Sequence, residues 1–143
     1  MVVIGSDHGG FQLKNHLKKY LQEKGEEVFD CGTESEESVD YPDFAKKVSE
    51  EVLKKEAPGI IICGTGIGVS MTANKVKGIR AALAHDEYTA RMAREHNNAN
   101  VLCLGGRVLD PQEAEKIVDV FLNTDFEGGR HQRRVEKIMA LEE

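Results

Sequence analysis

Short apolar runs and helix-spaced apolar stripes alternate along this chain from one end to the other. Residues 2–5 form an apolar strand, and residues 11–24 carry Leu13, Leu17, Tyr20 and Leu21 on one helical face, with Gly25 as the stop. Residues 27–31 read as a second strand, less apolar and therefore nearer a sheet edge. Pro42 suits a first helical turn, and Phe44, Val48 and Val52 mark the buried face of a helix reaching Lys55. Residues 59–63 are a third strand with a helix over 68–75, and residues 79–84 a fourth with a helix over 87–95. Residues 100–104 are the fifth strand, and Pro111 opens a helix to Phe121. A linker over 123–129 leads to a last helix over 130–141, whose Arg134, Ile138 and Leu141 lie on one stripe expected to face something.

This alternation predicts an α/β fold with a parallel sheet covered on both faces. In such sheets the site lies beyond the carboxyl ends of the strands, where the chain order reverses. Those ends carry Ser6-Asp7-His8, Cys63-Gly64-Thr65, His85-Asp86 and Gly105-Gly106-Arg107. The opposite ends carry Gly25-Glu26, Ala57-Pro58 and Lys77-Gly78, which are dull, and then His96-Asn97-Asn98-Ala99, which is not. A monomer leaves that last group stranded; a partner subunit would bring it to a neighbour's site.

Composition narrows the function. At 143 residues, one domain spanning 1–143 is expected. A formal net charge of -6 argues against nucleic acid or a membrane surface as partner, and no apolar stretch approaches the ~20 residues of a membrane helix. Three widely spaced cysteines, Cys31, Cys63 and Cys103, and a start directly in a strand point to a reduced, cytoplasmic protein.

The candidate chemistry centres on Cys63. Three isoleucines deliver this thiol to a strand end, and the loop Gly64-Thr65-Gly66-Ile67-Gly68 leads into a helix. Backbone N–H groups turned inward at a helix N-terminus favour negative charge, and they favour a thiolate. The competing reading makes Cys63 a small buried apolar residue, as Cys103 is expected to be. Asp7 has two readings, a helix cap or a site carboxylate beside His8. The glycine loop alone is weakly diagnostic, since it lacks the Lys-Ser/Thr pair of a nucleotide phosphate loop. Residues 128–134 form the one dense basic patch, where Arg130 and Arg134 share a helix face and suit a phosphate.

The segments SDHGG, DYPDFA, IICGTGIGVSMTANK, IRAAL, HNNANVLCLGGRV and EGGRHQRRV, in that order, resemble the B-type ribose-5-phosphate isomerases. The wider family includes galactose-6-phosphate isomerase subunits. The resemblance implies a three-layer α/β/α sandwich on a five-stranded Rossmann-like sheet, order 2-1-3-5-4. It implies a homodimer, sometimes a tetramer, with sites shared between subunits, and a small sugar phosphate as substrate. Cys63 is then the base of an enediolate isomerisation, with Thr65 relaying a proton. Gly64, Gly66, Ile67, Gly68 and Ser70 form the anion cradle. Asp7 and His96 match the ring-opening pair, His8, Arg107, Arg130 and Arg134 the phosphate ligands, and Tyr41 and Asn97 the sugar-lining residues. A family branch replaces the cysteine with a glutamate six positions on; here that position is Val69, so the cysteine version applies. No cofactor and no metal are implied. The rival readings are isomerisation of a six-carbon sugar phosphate, such as allose or galactose 6-phosphate, and a non-catalytic phosphate- or nucleotide-binding module. A cysteine hydrolase is a third, for which the histidines and acids look too dispersed.

Overall fold

The computed structural model describes residues 1–142. In chain order the elements are β1 (Val2–Ser6), a 3-10 turn (His8–Gly10), α1 (Phe11–Glu23), β2 (Val28–Asp30), α2 (Tyr41–Lys55), β3 (Gly59–Cys63), α3 (Ile67–Ala73), β4 (Ala81–Leu83), α4 (Glu87–Glu95), β5 (Val101–Gly105), α5 (Pro111–Asn123) and α6 (Arg130–Met139). The sheet is parallel throughout in the order β2-β1-β3-β5-β4. This is the topology the resemblance implied, and β4 is shorter than the six residues the sequence pattern suggested.

Strand side chains alternate between the two faces, which explains why β1, β3 and β5 are apolar at almost every position. Ile4, Ile60, Ile62, Leu102 and Leu104 meet Leu13, Leu17, Leu21, Ile117 and Phe121 from α1 and α5. Val3, Ile61, Val101 and Cys103 meet Val48 and Val52 of α2 and Val69 and Ala73 of α3. Each fully buried aliphatic side chain contributes about 1.5–3 kcal/mol, so these three strands anchor the molecule. The edge strand β2, half-buried along its length, is pinned differently. Asp30 receives Lys14 Nζ of α1 at 2.7 Å, and the lysine itself is buried.

Local chemistry sets the helix boundaries. Asp86 and Asp110 each close a capping box at the start of α4 and α5, satisfying N–H groups that a helix start leaves free. Pro42 and Pro111 occupy first turns, where no amide donor is needed.

Candidate active site

The chain order reverses between β1 and β3, and the chemistry gathers there. Beyond the sheet the strand ends stay joined. Asp7 N–H donates to the Ile62 carbonyl at 3.2 Å, Gly106 N–H to Cys63 at 2.8 Å, and Arg107 N–H to Gly64 at 3.0 Å. A side chain at Gly106 would sit 2.8 Å from the Gly9 carbonyl, so only glycine lets the turns after β1 and β5 close on each other. Gly66 starts α3 with φ +81°, a conformation that suits glycine and points the next amides at the strand end.

Cys63 ends β3 with 5% of its surface exposed. Its Sγ accepts the Gly66 N–H at 3.2 Å, so the sulfur is turned to the amide loop even though its flank touches the apolar cluster of α3. Cys63 is thus packed on one side and addressed by an N–H on the other. Burial pushes Cys31 up to about 11, and burial, with Cys63 as a smaller contributor, raises Cys103 as well.

Asp7 uses one oxygen as the expected cap. Its Oδ1 caps the 3-10 turn, accepting Gly9 N–H at 2.9 Å and Gly10 N–H at 3.2 Å, while Oδ2 makes no hydrogen bond among the described residues. His8 Nδ1 accepts the Val39 N–H at 3.2 Å, which fixes the ring and leaves Nε2 as its outward group. Thr65 is exposed, its Oγ1 accepting Ile67 N–H at 3.3 Å, and Ser70 Oγ donates to the Ile67 carbonyl. The Tyr41 ring lies over Gly68 and the Arg107 guanidinium over Gly64. Asp7, His8, Tyr41, the loop from Cys63 to Ser70 and Arg107 thus share one end of the sheet. His85 and Asp86, at the same end, are not part of this gathering: Asp86 is occupied by its capping box, and His85 points to solvent.

His96, Asn97, Arg130 and Arg134 lie at the other end. His96 caps the C-terminus of α4, before β5 begins, and stacks on His131 of α6 with ring centroids 4.1 Å apart. The five residues of β5 alone span roughly 13 Å, so a single chain does not bring these four residues to Cys63. Asn97, Arg130 and Arg134 are exposed. The sequence expectation for α6 needs correction here. The face that docks is His131 and Val135, whereas Arg134, Ile138 (46% exposed) and Leu141 (84% exposed) form a flank open to solvent in one chain. Stripes one position apart on a helix are about 100° apart, and the amphipathic pattern alone did not separate them.

Two contributors escaped the sequence reading. Arg94 of α4 donates from Nε to the Thr124 carbonyl at 3.0 Å, and from Nη1 to Asn98 Oδ1 at 3.0 Å and the Ala99 carbonyl at 2.6 Å. Arg94 carries no motif that separates it from an ordinary surface arginine. His131 did sit in a marked segment, between Arg130 and Arg134, but histidine in a basic run gives no hint of a stacking partner 35 residues earlier. A cavity of about 480 Å³ also opens at the β5 start, lined by Val52, Pro58, Arg94, Asn100 and Phe121 among others, and it contains none of the proton-moving groups.

The comparisons agree with this geometry. Escherichia coli ribose-5-phosphate isomerase B is 48% identical over 143 residues, covering 99% of this chain and 96% of its own. The structure of Clostridium thermocellum ribose-5-phosphate isomerase B superposes with a TM-score of 0.96 at 54% identity, over 98% of this chain and 95% of that one. The Mycoplasma genitalium enzyme, solved with ribulose 5-phosphate bound, gives a TM-score of 0.93 at 50% identity, over 98% and 94%. The Ribose/Galactose Isomerase family model matches residues 2–138, and the chain belongs to that family.

Proposed function

We propose that this protein is an aldose–ketose isomerase interconverting D-ribose 5-phosphate and D-ribulose 5-phosphate, in the non-oxidative part of pentose phosphate metabolism, with residues 1–143 as one catalytic domain. The observation that carries the reading is the Cys63 sulfur, addressed by the Gly66 amide and placed beside Asp7 at the reversal of the sheet. The bound ketose of the Mycoplasma relative supports the five-carbon substrate.

The chemistry follows from that placement. The furanose opens first, Asp7 taking the proton of the anomeric hydroxyl while His96 of the partner subunit protonates the ring oxygen. Cys63, as thiolate, then removes the C2 proton. The electron pair of that bond forms the C1–C2 double bond, and the aldehyde oxygen becomes the enediolate oxygen. Amides of the Gly64–Gly68 loop face that charge, whereas the Ser70 amide of the expected cradle is already given to the Gly66 carbonyl at 3.2 Å; a single such donor is worth roughly 10²–10³ in rate. The Cys63 thiol returns the proton to C1 while Thr65 relays the O2 proton towards O1. His8, Arg107, Arg130 and Arg134 hold the phosphate, and Tyr41 and Asn97 line the sugar. The arginine fork suits phosphate oxygens.

A homodimer with shared sites is part of this reading. It is supported by the stranded His96 and Asn97 and by the exposed apolar side chains Ile67, Met71, Leu83 and Tyr88 on α3, the β4 edge and α4. Three free thiols and a diffusible substrate suit a reducing cytoplasm, and among the described residues no helix is long and apolar enough to cross a membrane.

The test is turnover of ribose 5-phosphate, with allose and galactose 6-phosphates as six-carbon competitors, together with exchange of the substrate's carbon-bound proton in deuterated water. Cys63→Ala should lower both turnover and exchange by about 10²–10⁴-fold, with substrate still bound. Undiminished exchange in that variant removes the cysteine from the base role, and a higher kcat/KM for a six-carbon phosphate reassigns the substrate.

A further inference from the structure

His131 has no part in the chemistry above, yet it is buried and in face-to-face contact with a residue that does. Its ring stacks on His96 with centroids 4.1 Å apart and planes 12° apart. The His131 ring and the backbones that carry the two histidines are held from behind. Glu127 Oε1 lies 3.4 Å from His131 Nε2, and the His131 amide donates to the Gly128 carbonyl at 3.0 Å. The Glu127 amide in turn donates to the Glu95 carbonyl at 3.1 Å, next to His96 in sequence. Arg94 ties the same two backbones together through the Thr124 and Ala99 carbonyls.

We infer that His131 is a positioning residue for His96: its buried ring is the platform that fixes the half-exposed imidazole in the orientation offered to the neighbouring site. This rests on the reading of His96 as the ring-opening acid. A histidine at a helix C-cap with no packing partner samples several rotamers, and a reacting group displaced by an ångström forfeits much of its rate advantage. Burial, the neighbouring His96 and the Arg130 guanidinium hold His131 below the usual imidazole value, against the pull of Glu127. A neutral ring stacks without the repulsion of two adjacent cations.

A shared metal ion is the competing use of this trio, since donor atoms of His96, Glu127 and His131 lie within 4.8 Å of one another. The stack argues against it. Imidazole lone pairs lie in the ring planes, and planes inclined by only 12° carry them along near-parallel layers, whereas a cation needs them to converge.

The experiment exploits a difference between the two sugars. Ribulose 5-phosphate carries its phosphate on the only hydroxyl able to close a five-membered ring on C2, so it is always open. Deuterium entry at its C1 therefore needs proton transfer but no ring opening, whereas turnover of ribose 5-phosphate needs both. His131→Ala should lower kcat for ribose 5-phosphate on the order of 10- to 100-fold, with KM and deuterium entry into ribulose 5-phosphate near wild type. His131→Phe, which keeps a flat ring, should recover most of the loss, and His96→Ala should show the same split more deeply. Equal loss of turnover and exchange in His131→Ala overturns the inference in favour of a general structural role. So does full turnover in His131→Ala beside a defective His96→Ala. Undiminished ribose 5-phosphate turnover in His96→Ala instead overturns the ring-opening reading beneath it.

Discussion

The two ends of the sheet are made by the same strands, yet they hold their polar groups by opposite means. At the carboxyl ends the backbone does the holding: amides of Gly9, Gly10 and Gly66 point at the Asp7 carboxylate and the Cys63 sulfur. At the amino ends the side chains do it. Arg94 and Arg80 donate to the carbonyls of Thr124, Ala99 and Asn98, and Asn100 donates to Gly78. The difference follows from helix direction in a parallel α/β layer. Helix N-termini, rich in free amides, gather at the carboxyl ends of the strands; helix C-termini, rich in free carbonyls, gather at the other. The first environment welcomes developing negative charge. The second recruits cations and donors, and what it leaves over, His96, Asn97, Arg130 and Arg134, is suited to a phosphate or a ring oxygen presented by another molecule.

If the halves are complementary, the largest effect comes from recombining them. Cys63→Ala and His96→Ala subunits are each expected to be inactive as homodimers. Mixed and allowed to exchange, half the dimers carry one mutant of each kind, and in a two-fold dimer one of their two sites is then fully wild type. Activity should rise to about one quarter of wild type. Subunit exchange shown by mass spectrometry with no regain of activity breaks the comparison, because Cys63 and His96 of one and the same chain would then have to act together.

The same asymmetry decided what the sequence could reveal. Parallel topology was legible because strands and helices alternate along the chain with short connections, and the apolar runs of β1, β3 and β5 agree with strands buried on two sides. The gathering of residues at the carboxyl ends was legible too, since glycines and a cysteine at a strand end leave a local trace. The amino-end group announced itself as an anomaly, His96 and its asparagines where nothing was expected, and as the basic patch of Arg130 and Arg134, with nothing to join the two. Its internal order was not legible, because the Arg94 contacts and the His96–His131 stack join residues far apart in the chain through side-chain geometry. What the Arg134 stripe faces was not legible for a related reason. An apolar-basic flank that faces solvent in one chain has the same periodicity as one that faces the chain's own core.

A smaller effect tests the amino-end arginines by themselves. A phosphate that does not react contributes equally to ground and transition states, so removing its ligand raises KM and spares kcat. Arg134→Ala should raise KM for ribose 5-phosphate roughly 10- to 100-fold, the range of a charge-assisted hydrogen bond. Steady-state kinetics in which kcat falls instead, with KM unchanged, would move Arg134 from the phosphate to the reacting carbons.

The smallest effect sharpens the comparison within the carboxyl end itself. Cys31 follows β2 and Cys63 follows β3, so both thiols sit at the same end of the sheet, but only Cys63 lies at the reversal with an amide loop before it. Cys31 is as buried as Cys63 but its sulfur receives no amide among the described residues, and burial raises it from the ordinary 9.0 to about 11. Folding therefore favours its neutral form. The stabilisation is complete below pH 9 and is lost as the pH climbs towards 11, because the unfolded thiol ionises first. Urea unfolding of wild type against Cys31→Ala should show a gap that narrows by roughly 1 kcal/mol between pH 8 and pH 10. A gap constant over that range means that Cys31 ionises freely in the folded protein. The contrast between a sealed thiol and an addressed one, at the same end of the same sheet, would then disappear.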